Sequence, residues 1–552
     1  MEDKLRILVA QLNPTVGALD KNSDQIFRTY LDAKKKEIDL VVFPEMFLTG
    51  YQVQDLILNP TFQADVASHI EMLVQKCSGK TALLFGAPIL EGSDLYNSYL
   101  LIKSGQVEII TKKKHLPNFD IFDEHRYFKS GNLAKTFKVK KAIIGCPICE
   151  DIWLPGVTRN LKKLGANLII SPNGSPYERG KLKLRQNVVQ KRCIESELPV
   201  IYINLIGGQD DQVFDGGSFV TDETGKIKVQ LPQFEEKKFL IEFEKNGKLL
   251  GPITTFTAQV GSEIEQDYCA IVQGTRDYVI KTGFEKVILG LSGGIDSALV
   301  AAIAVDAMGP ENVTCVRLPS QFSSEGSLSD ADNLTDRLGC LTKTIPIIEP
   351  YKVMLDLFKQ EFQNVKEDIT EENLQSRIRG MILMALSNKF GSMLLTTGNK
   401  SEIAVGYSTI YGDMCGGYNP IKDIYKTRLY ELCRWRNTKK AVWMKGPRTE
   451  VIPKIIIDKP PSAELRPDQK DLDTLPPYTI LDTILEGLIE KKLSIVEISR
   501  LGIDMNLIKK VEKLVYASEY KRFQSAPGVH LTKGSFWLGR RYPIVQHWKE
   551  PS

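Results

Sequence analysis

The stretch KVILGLSGGIDSALVAAIAVDAMG, Lys286–Gly309, decides the fold of the second half of the chain. An apolar run, Val287–Leu289, enters a Gly-Gly turn and then a long run of alanine and aliphatic residues that suits a buried helix. NVTCVRLP, Asn312–Pro319, follows as a second apolar strand. Strand, glycine turn, helix and strand make one parallel βαβ unit, and a doubly wound parallel sheet is the expected architecture. At the turn, two glycines let backbone approach an anion while the first helical amides and the helix dipole point at it. A Gly-Gly turn alone is only a tight connection, but Asp296 and the hydroxyls of Ser292 and Ser297 add polar groups at fixed offsets. The loop is not a Walker A sequence. The Gly79-Lys80-Thr81 triplet lacks a glycine five residues earlier and precedes a strand rather than a helix.

Outward from this loop, 552 residues exceed what one core holds, so at least two domains are expected. Before about residue 255, short apolar runs such as LRILVAQL (Leu5–Leu12), DLVVFPEM (Asp39–Met46) and AIIGCPIC (Ala142–Cys149) alternate with a few helical stretches, a strand-rich α/β layout. After it, EIEQDYCAIVQGTRDYVIKTG (Glu263–Gly283) switches to helical spacing. We therefore read residues 1–255 and 256–552 as two domains, the second ending in helical stretches and a basic tail, Tyr520–Arg541. With 42% hydrophobic and 25% charged residues, ordinary globular domains are expected. Net charge is only +4, which leaves no broad field for nucleic acid. Without a signal-like or membrane-spanning run, a cytoplasmic location is expected. Nine scattered cysteines, an odd number, are expected to be reduced. The CPIC pair, Cys146 and Cys149, closes an apolar strand instead of opening a helix, which argues against a redox motif.

Thiol-based amide hydrolysis needs a nucleophile, a proton-handling base and a positive group for the oxyanion. Glu45 in FPEMFLTGY, Lys113 in TKKKHLPNF and Cys149 in GCPICEDIW each stand beside an apolar run. Singly they read as a solvated acid, a charged turn and an inert buried thiol. Their joint order and contexts resemble the Glu-Lys-Cys triad of the nitrilase superfamily, whose lysine lies three residues before Leu-Pro, as Lys113 does before Leu116. In that resemblance Cys149 attacks a glutamine side-chain amide, Glu45 shuttles the proton, and Lys113 stabilises the tetrahedral intermediate and keeps the thiol ionised. Glu124 is an accessory carboxylate holding the lysine. Glutamine contacts map to Phe119, Ser175 and Lys181, with Phe119 standing where the family has tyrosine.

SGGIDS is similar to the signature of the ATP pyrophosphatase superfamily, which splits ATP to AMP and pyrophosphate. Four further stretches, RLPSQFSSEGSLSDA (Arg317–Ala331), ENLQSRIRGMI (Glu372–Ile382), TTGNKSEIAVGYSTIYGDM (Thr396–Met414) and KPPSAELRPDQ (Lys459–Gln469), resemble the NAD synthetases. Length and order match the glutamine-dependent form of that family. The implied fold is a nitrilase-like α-β-β-α sandwich followed by a Rossmann-like ATP pyrophosphatase domain. The resemblance assigns ATP contacts to Gly290, Leu291, Ser292, Gly293, Gly294, Ile295, Asp296, Ser297 and Thr397. It assigns deamido-NAD contacts to Asn373, Glu402 and Lys521, and Mg²⁺ ligation to Asp296 and Glu402. Without the motifs, these residues read as a strand end, a helix cap, a solvated helix face and a surface lysine. Arg377 and Arg379, two apart on a helix, cannot both face one ligand. The implied reaction is amidation of deamido-NAD⁺ with glutamine nitrogen, giving AMP, pyrophosphate and glutamate. A homo-oligomer paired through synthetase domains is also implied. A GMP synthetase-like enzyme would share only SGGIDS, and a non-catalytic relative would not be expected to keep Cys149, Lys113, Glu45 and Asp296.

Overall fold

A computed structural model describes residues 4–132, 135–246, 249–439, 441–467, 469–548 and 550. The chain divides into two compact units, Met1–Ser262 and Glu263–Ser552. In the first, two seven-stranded sheets are built from the short apolar runs. The first sheet has the spatial order Leu249–Pro252, Lys237–Asn246, Leu5–Gln11, Leu40–Val42, Ala82–Glu91, Asp94–Lys103, Gln106–Lys112. The second runs Phe256–Thr257, Ile227–Gln230, Phe219–Thr221, Val200–Asn204, Leu168–Asn173, Ala142–Gly145, Thr136–Val139.

Side chains alternate across a strand, and both faces here are apolar. Ile7, Val42 and Leu84 of the first sheet share a core with Ile144, Ile170 and Ile203 of the second, so the sheets pack face to face. Their alternates, Leu8, Val41 and Leu83, pack instead with Tyr30 of the helix Leu19–Lys35 and Leu73 of the helix Pro60–Lys76. Ile169 and Val200 likewise pack with Leu161 and Val189 from the helices Val157–Lys163 and Lys181–Ser196. The result is the α-β-β-α sandwich.

The second unit holds a four-stranded parallel sheet ordered Leu341–Thr344, Val313–Arg317, Lys286–Gly290, Ser392–Leu395. The expected βαβ unit is present, with Val287 opposite Val313. Ile288, Val316 and Leu394 pack with Ile378 of the helix Ile369–Phe390. The helix Ile295–Met308 is apolar nearly all round, so it is buried. The chain moves outward over three strands and then returns to the far side of Lys286–Gly290. That reversal opens a crevice at the carboxyl ends of Lys286–Gly290 and Ser392–Leu395. Helices after residue 478 pack Leu481, Ile498 and Val511 against Ile403 and Val405, supporting the short helix Lys400–Val405 beside the crevice. Among the described residues, no helix is long and apolar enough to cross a membrane.

One buried ion pair anchors this unit. Arg436 donates to both carboxylate oxygens of Asp306, at 2.5 and 2.9 Å, and the Tyr268 hydroxyl donates to the same carboxylate at 2.7 Å. Asp306→Asn leaves a buried guanidinium unpaired. It is expected to cost about 3–5 kcal/mol in denaturant unfolding, and a loss below about 1 kcal/mol would show the pair to be dispensable.

Candidate active sites

Strand ends place the three residues expected from the nitrilase resemblance. Glu45 follows Leu40–Val42, Lys113 follows Gln106–Lys112, and Cys149 lies between Ala142–Gly145 and the helix Glu150–Trp153. All three are buried, Glu45 and Lys113 completely. The Lys113 ammonium donates to Glu45 Oε1 at 2.8 Å and to Glu124 Oε1 at 2.9 Å. Asn97 Nδ2 donates to Glu45 Oε1 at 2.8 Å, the Gly174 amide to Glu45 Oε2 at 2.8 Å, and the Tyr51 hydroxyl to Glu124 Oε1 at 2.8 Å. Gly86 makes room for the Glu45 turn, because a Cβ there would lie 2.1 Å from the Met46 nitrogen. Cys149 has φ +43°, a costly conformation for a side-chain-bearing residue. Asp151 ties the cysteine and lysine loops together. Its Oδ1 accepts from the His115 amide at 2.8 Å and its Oδ2 from the Ile148 amide at 3.2 Å.

The electrostatics modify one expectation. Burial alone would lower the Lys113 pKa, but Glu124 and Glu45 hold it well above the ordinary lysine value. Burial first, then the charge of Glu45, pushes the Cys149 thiol well above its usual value. That direction favours the neutral thiol of Cys149 over the ion that Lys113 is expected to maintain. Two carboxylates beside one ammonium leave no surplus positive charge for a thiolate. Burial and the charge of Glu45 push Glu124 up to about 7, against the opposing pull of Lys113 and Tyr51.

The three glutamine candidates separate. Ser175 is buried next to Gly174, and its hydroxyl accepts from Arg185 Nε at 3.1 Å. Lys181 opens the helix Lys181–Ser196, and burial lowers its pKa against the opposing charge of Glu178. Phe119 is 57% exposed and meets Phe122 edge-on at 5.9 Å.

In the second unit, a cavity of about 400 Å³ opens at the crevice, lined by Gly290, Leu291, Ser292, Gly294, Ile295 and Asp296. Asn373, Thr397, Glu402 and Lys521, far apart in sequence, line the same space. Gly293 and Ser297 are not among its lining residues. The Ser297 hydroxyl turns back to the Gly294 carbonyl at 3.1 Å, and Gly293 takes φ +81° with its Cα side against the Ser327 carbonyl. Thr397 lies two residues beyond its strand, Asn373 lies inside a helix and accepts from the Thr409 hydroxyl at 2.7 Å, and Lys521 donates to the carbonyls of Gly406 and Ser408 at 2.8 Å. Arg379 lines the cavity, and burial lowers its pKa to about 10; Arg377 points away to the Ile410 carbonyl.

Asp296 Oδ2 accepts from Lys426 at 2.5 Å, and its Oδ1 from Asn399 Nδ2 at 2.7 Å. Lys426 also reaches Glu402 Oε1 at 3.2 Å, and Tyr478 links Glu402 to Asp471. Burial, opposed by Lys426 and reinforced by Asp296 and Asp471, raises Glu402 to about 7.

Both halves match known families. Residues 6–244 match the carbon-nitrogen hydrolase family and residues 268–525 the NAD synthase family. Over 552 residues the chain is 50% identical to the glutamine-dependent NAD(+) synthetase of Rhodobacter capsulatus, covering all of both. The chain belongs to the glutamine-dependent NAD(+) synthetase family. The Synechocystis sp. synthetase is 42% identical, with 98% of each chain covered. The solved structure of the Acinetobacter baumannii glutamine-dependent NAD⁺ synthetase in complex with ADP is 38% identical, with a TM-score of 0.78 and all of both chains covered.

Several residues of these two clusters were silent in the sequence. Tyr51, Asn97, Asp151, Lys426 and Asp471 are ordinary polar residues in their own stretches, and only the packing of distant strands and helices aims them.

Gly293→Ala puts a Cβ 2.3 Å from the Ser327 carbonyl and forces a left-handed residue that costs about 1–2 kcal/mol by itself. ATP binding measured by calorimetry is expected to weaken by about tenfold or more. Unchanged affinity would show that this loop does not hold the nucleotide.

Proposed function

We propose that the chain makes NAD⁺ by amidating deamido-NAD⁺ with ammonia released from L-glutamine in the first unit, with ATP converted to AMP and pyrophosphate. The observation that carries this reading is the pairing, in one chain, of a buried Glu45-Lys113-Cys149 cluster with a phosphate loop facing Glu402 and Thr397 across one cavity.

In the first unit, Glu45 takes the Cys149 proton as sulfur attacks the amide carbon. A neutral resting thiol makes this transfer part of the attack. The Lys113 ammonium faces the oxygen that becomes negative. Collapse of the tetrahedral adduct, with the proton returned from Glu45, expels ammonia and leaves a thioester. Water deprotonated by Glu45 then releases glutamate. Ser175 and Lys181 bind the amino-acid end of glutamine, and Phe119, lacking a hydroxyl, offers only ring contact.

In the second unit, the loop Gly290–Ser297 and Thr397 hold ATP, and Asn373, Glu402 and Lys521 hold deamido-NAD⁺. The nicotinate carboxylate attacks the α-phosphorus, pyrophosphate leaves, and ammonia displaces AMP from the acyl adenylate. At neutral pH free ammonia is mostly ammonium, without a lone pair for attack, which favours delivery within one protein. Asp296, Glu402 and Asp471 around a single ammonium leave excess negative charge on oxygen donors, which suits Mg²⁺. Mg²⁺, when bound, neutralises phosphate charge; Asp296 and Glu402 would hold it. A cytoplasmic homo-oligomer completes the reading.

Cys149→Ala is expected to abolish glutamine-driven NAD⁺ formation while ammonia-driven formation stays within about threefold. Loss of both in a folded protein, judged by circular dichroism, overturns the two-site reading. A second expectation concerns pH. Glu124, with its pKa near 7, must be ionised to hold Lys113, so protonation removes that contact. Glutamate release should therefore fall on the acid side of about pH 7. A rate flat between about pH 6 and 8 would exclude this role for Glu124.

A further inference from the structure

We infer that Arg185 is a positioning residue for glutamine recognition, acting through Ser175; this rests on the glutaminase reading above. Arg185 is 1% exposed on the helix Lys181–Ser196. Its Nη1 donates to both oxygens of Asp215, at 2.8 and 3.1 Å. Its Nη2 donates to the carbonyl oxygens of Ser175 and Pro176, each at 2.8 Å, and its Nε donates to Ser175 Oγ at 3.1 Å. These bonds engage all three guanidinium nitrogens, and the group is buried, so Arg185 serves its neighbours and not a substrate.

The consequence falls on Ser175. Asn204 closes its remaining backbone valences, accepting from the Ser175 amide at 2.9 Å and donating to its carbonyl at 3.0 Å. The residue is held on every side. Its hydroxyl oxygen already accepts from a cation that offers no acceptor in return, so its own hydrogen must point away from Arg185. The buried Tyr202 hydroxyl, which makes no other hydrogen bond among the described residues, is the neighbour that this hydrogen reaches. Ser175 and Tyr202 thereby form a fixed hydroxyl pair whose remaining hydrogen suits an acceptor carried by the substrate, such as a carboxylate. Lys181, one turn earlier on the same helix, supplies the matching positive charge. Gly174, the adjacent residue, donates to Glu45, so the same anchor sets the distance from carboxylate clamp to base. A lysine at 185 would bring a point charge without the planar fork that these acceptors require.

The test uses the full chain carrying Arg185→Lys, with Asp215→Asn as a second route to the same disturbance. KM for L-glutamine is expected to rise about tenfold, with kcat within about threefold of the unaltered chain. Alkylation of Cys149 by iodoacetamide, which needs no carboxylate clamp, should keep its rate, as should ammonia-driven NAD⁺ synthesis. In a Ser175→Ala background, Arg185→Lys should add less than about twofold to KM, because its effect runs through the missing hydroxyl. An unchanged KM in both single variants, additive effects with Ser175→Ala, or an equal loss of iodoacetamide reactivity overturns the inference. Absence of glutamate release by the unaltered chain overturns the glutaminase reading, and this inference with it.

Discussion

The first unit depends on one fully buried ammonium. Lys113 is shared between Glu45 and Glu124 at 2.8 and 2.9 Å with no water-exposed surface on the lysine. Removing either partner from such a contact costs about 3–5 kcal/mol, since a charge is left buried without compensation. Every neighbouring feature serves that contact. Asn97 and the Gly174 amide take two of the remaining lone pairs of Glu45, Tyr51 takes one on Glu124, and Gly86 lets the Glu45 turn come close enough. The same surroundings act on the adjacent thiol, because burial first, and then the charge of Glu45, raises the Cys149 pKa.

The second unit repeats the device with different parts. Lys426 is buried between Asp296 and Glu402, and the balance of charge is again negative. Here the excess lies at the mouth of a phosphate loop, where positive charge carried by a ligand would relieve it. In the amidase unit the lysine is the only cation among these contacts, and the excess is held in by apolar walls. One electrostatic arrangement thus recurs in two surroundings, a closed buried cluster in one half and a cavity beside a Gly-Gly loop in the other.

Much of this was legible in the chain itself. The apolar run ending in SGGIDS specified strand, turn and helix because run length and the Gly-Gly break are local features of the chain. The apolar run Leu5–Leu12 likewise marked a strand, and the motif contexts singled out Glu45, Lys113 and Cys149. What the sequence by itself determined was the identity of the elements and the chemical types at their ends. Tertiary structure alone decided which of these ends meet. The reversal of strand order brings Gly290–Asp296 against Thr397 and Glu402, and sheet packing brings Arg185 and Asp215 behind Ser175. It also decided protonation, since a thiol or carboxyl has no intrinsic shift until burial removes water and fixes its charged neighbours. Those are properties of distances between remote residues, which no local pattern encodes.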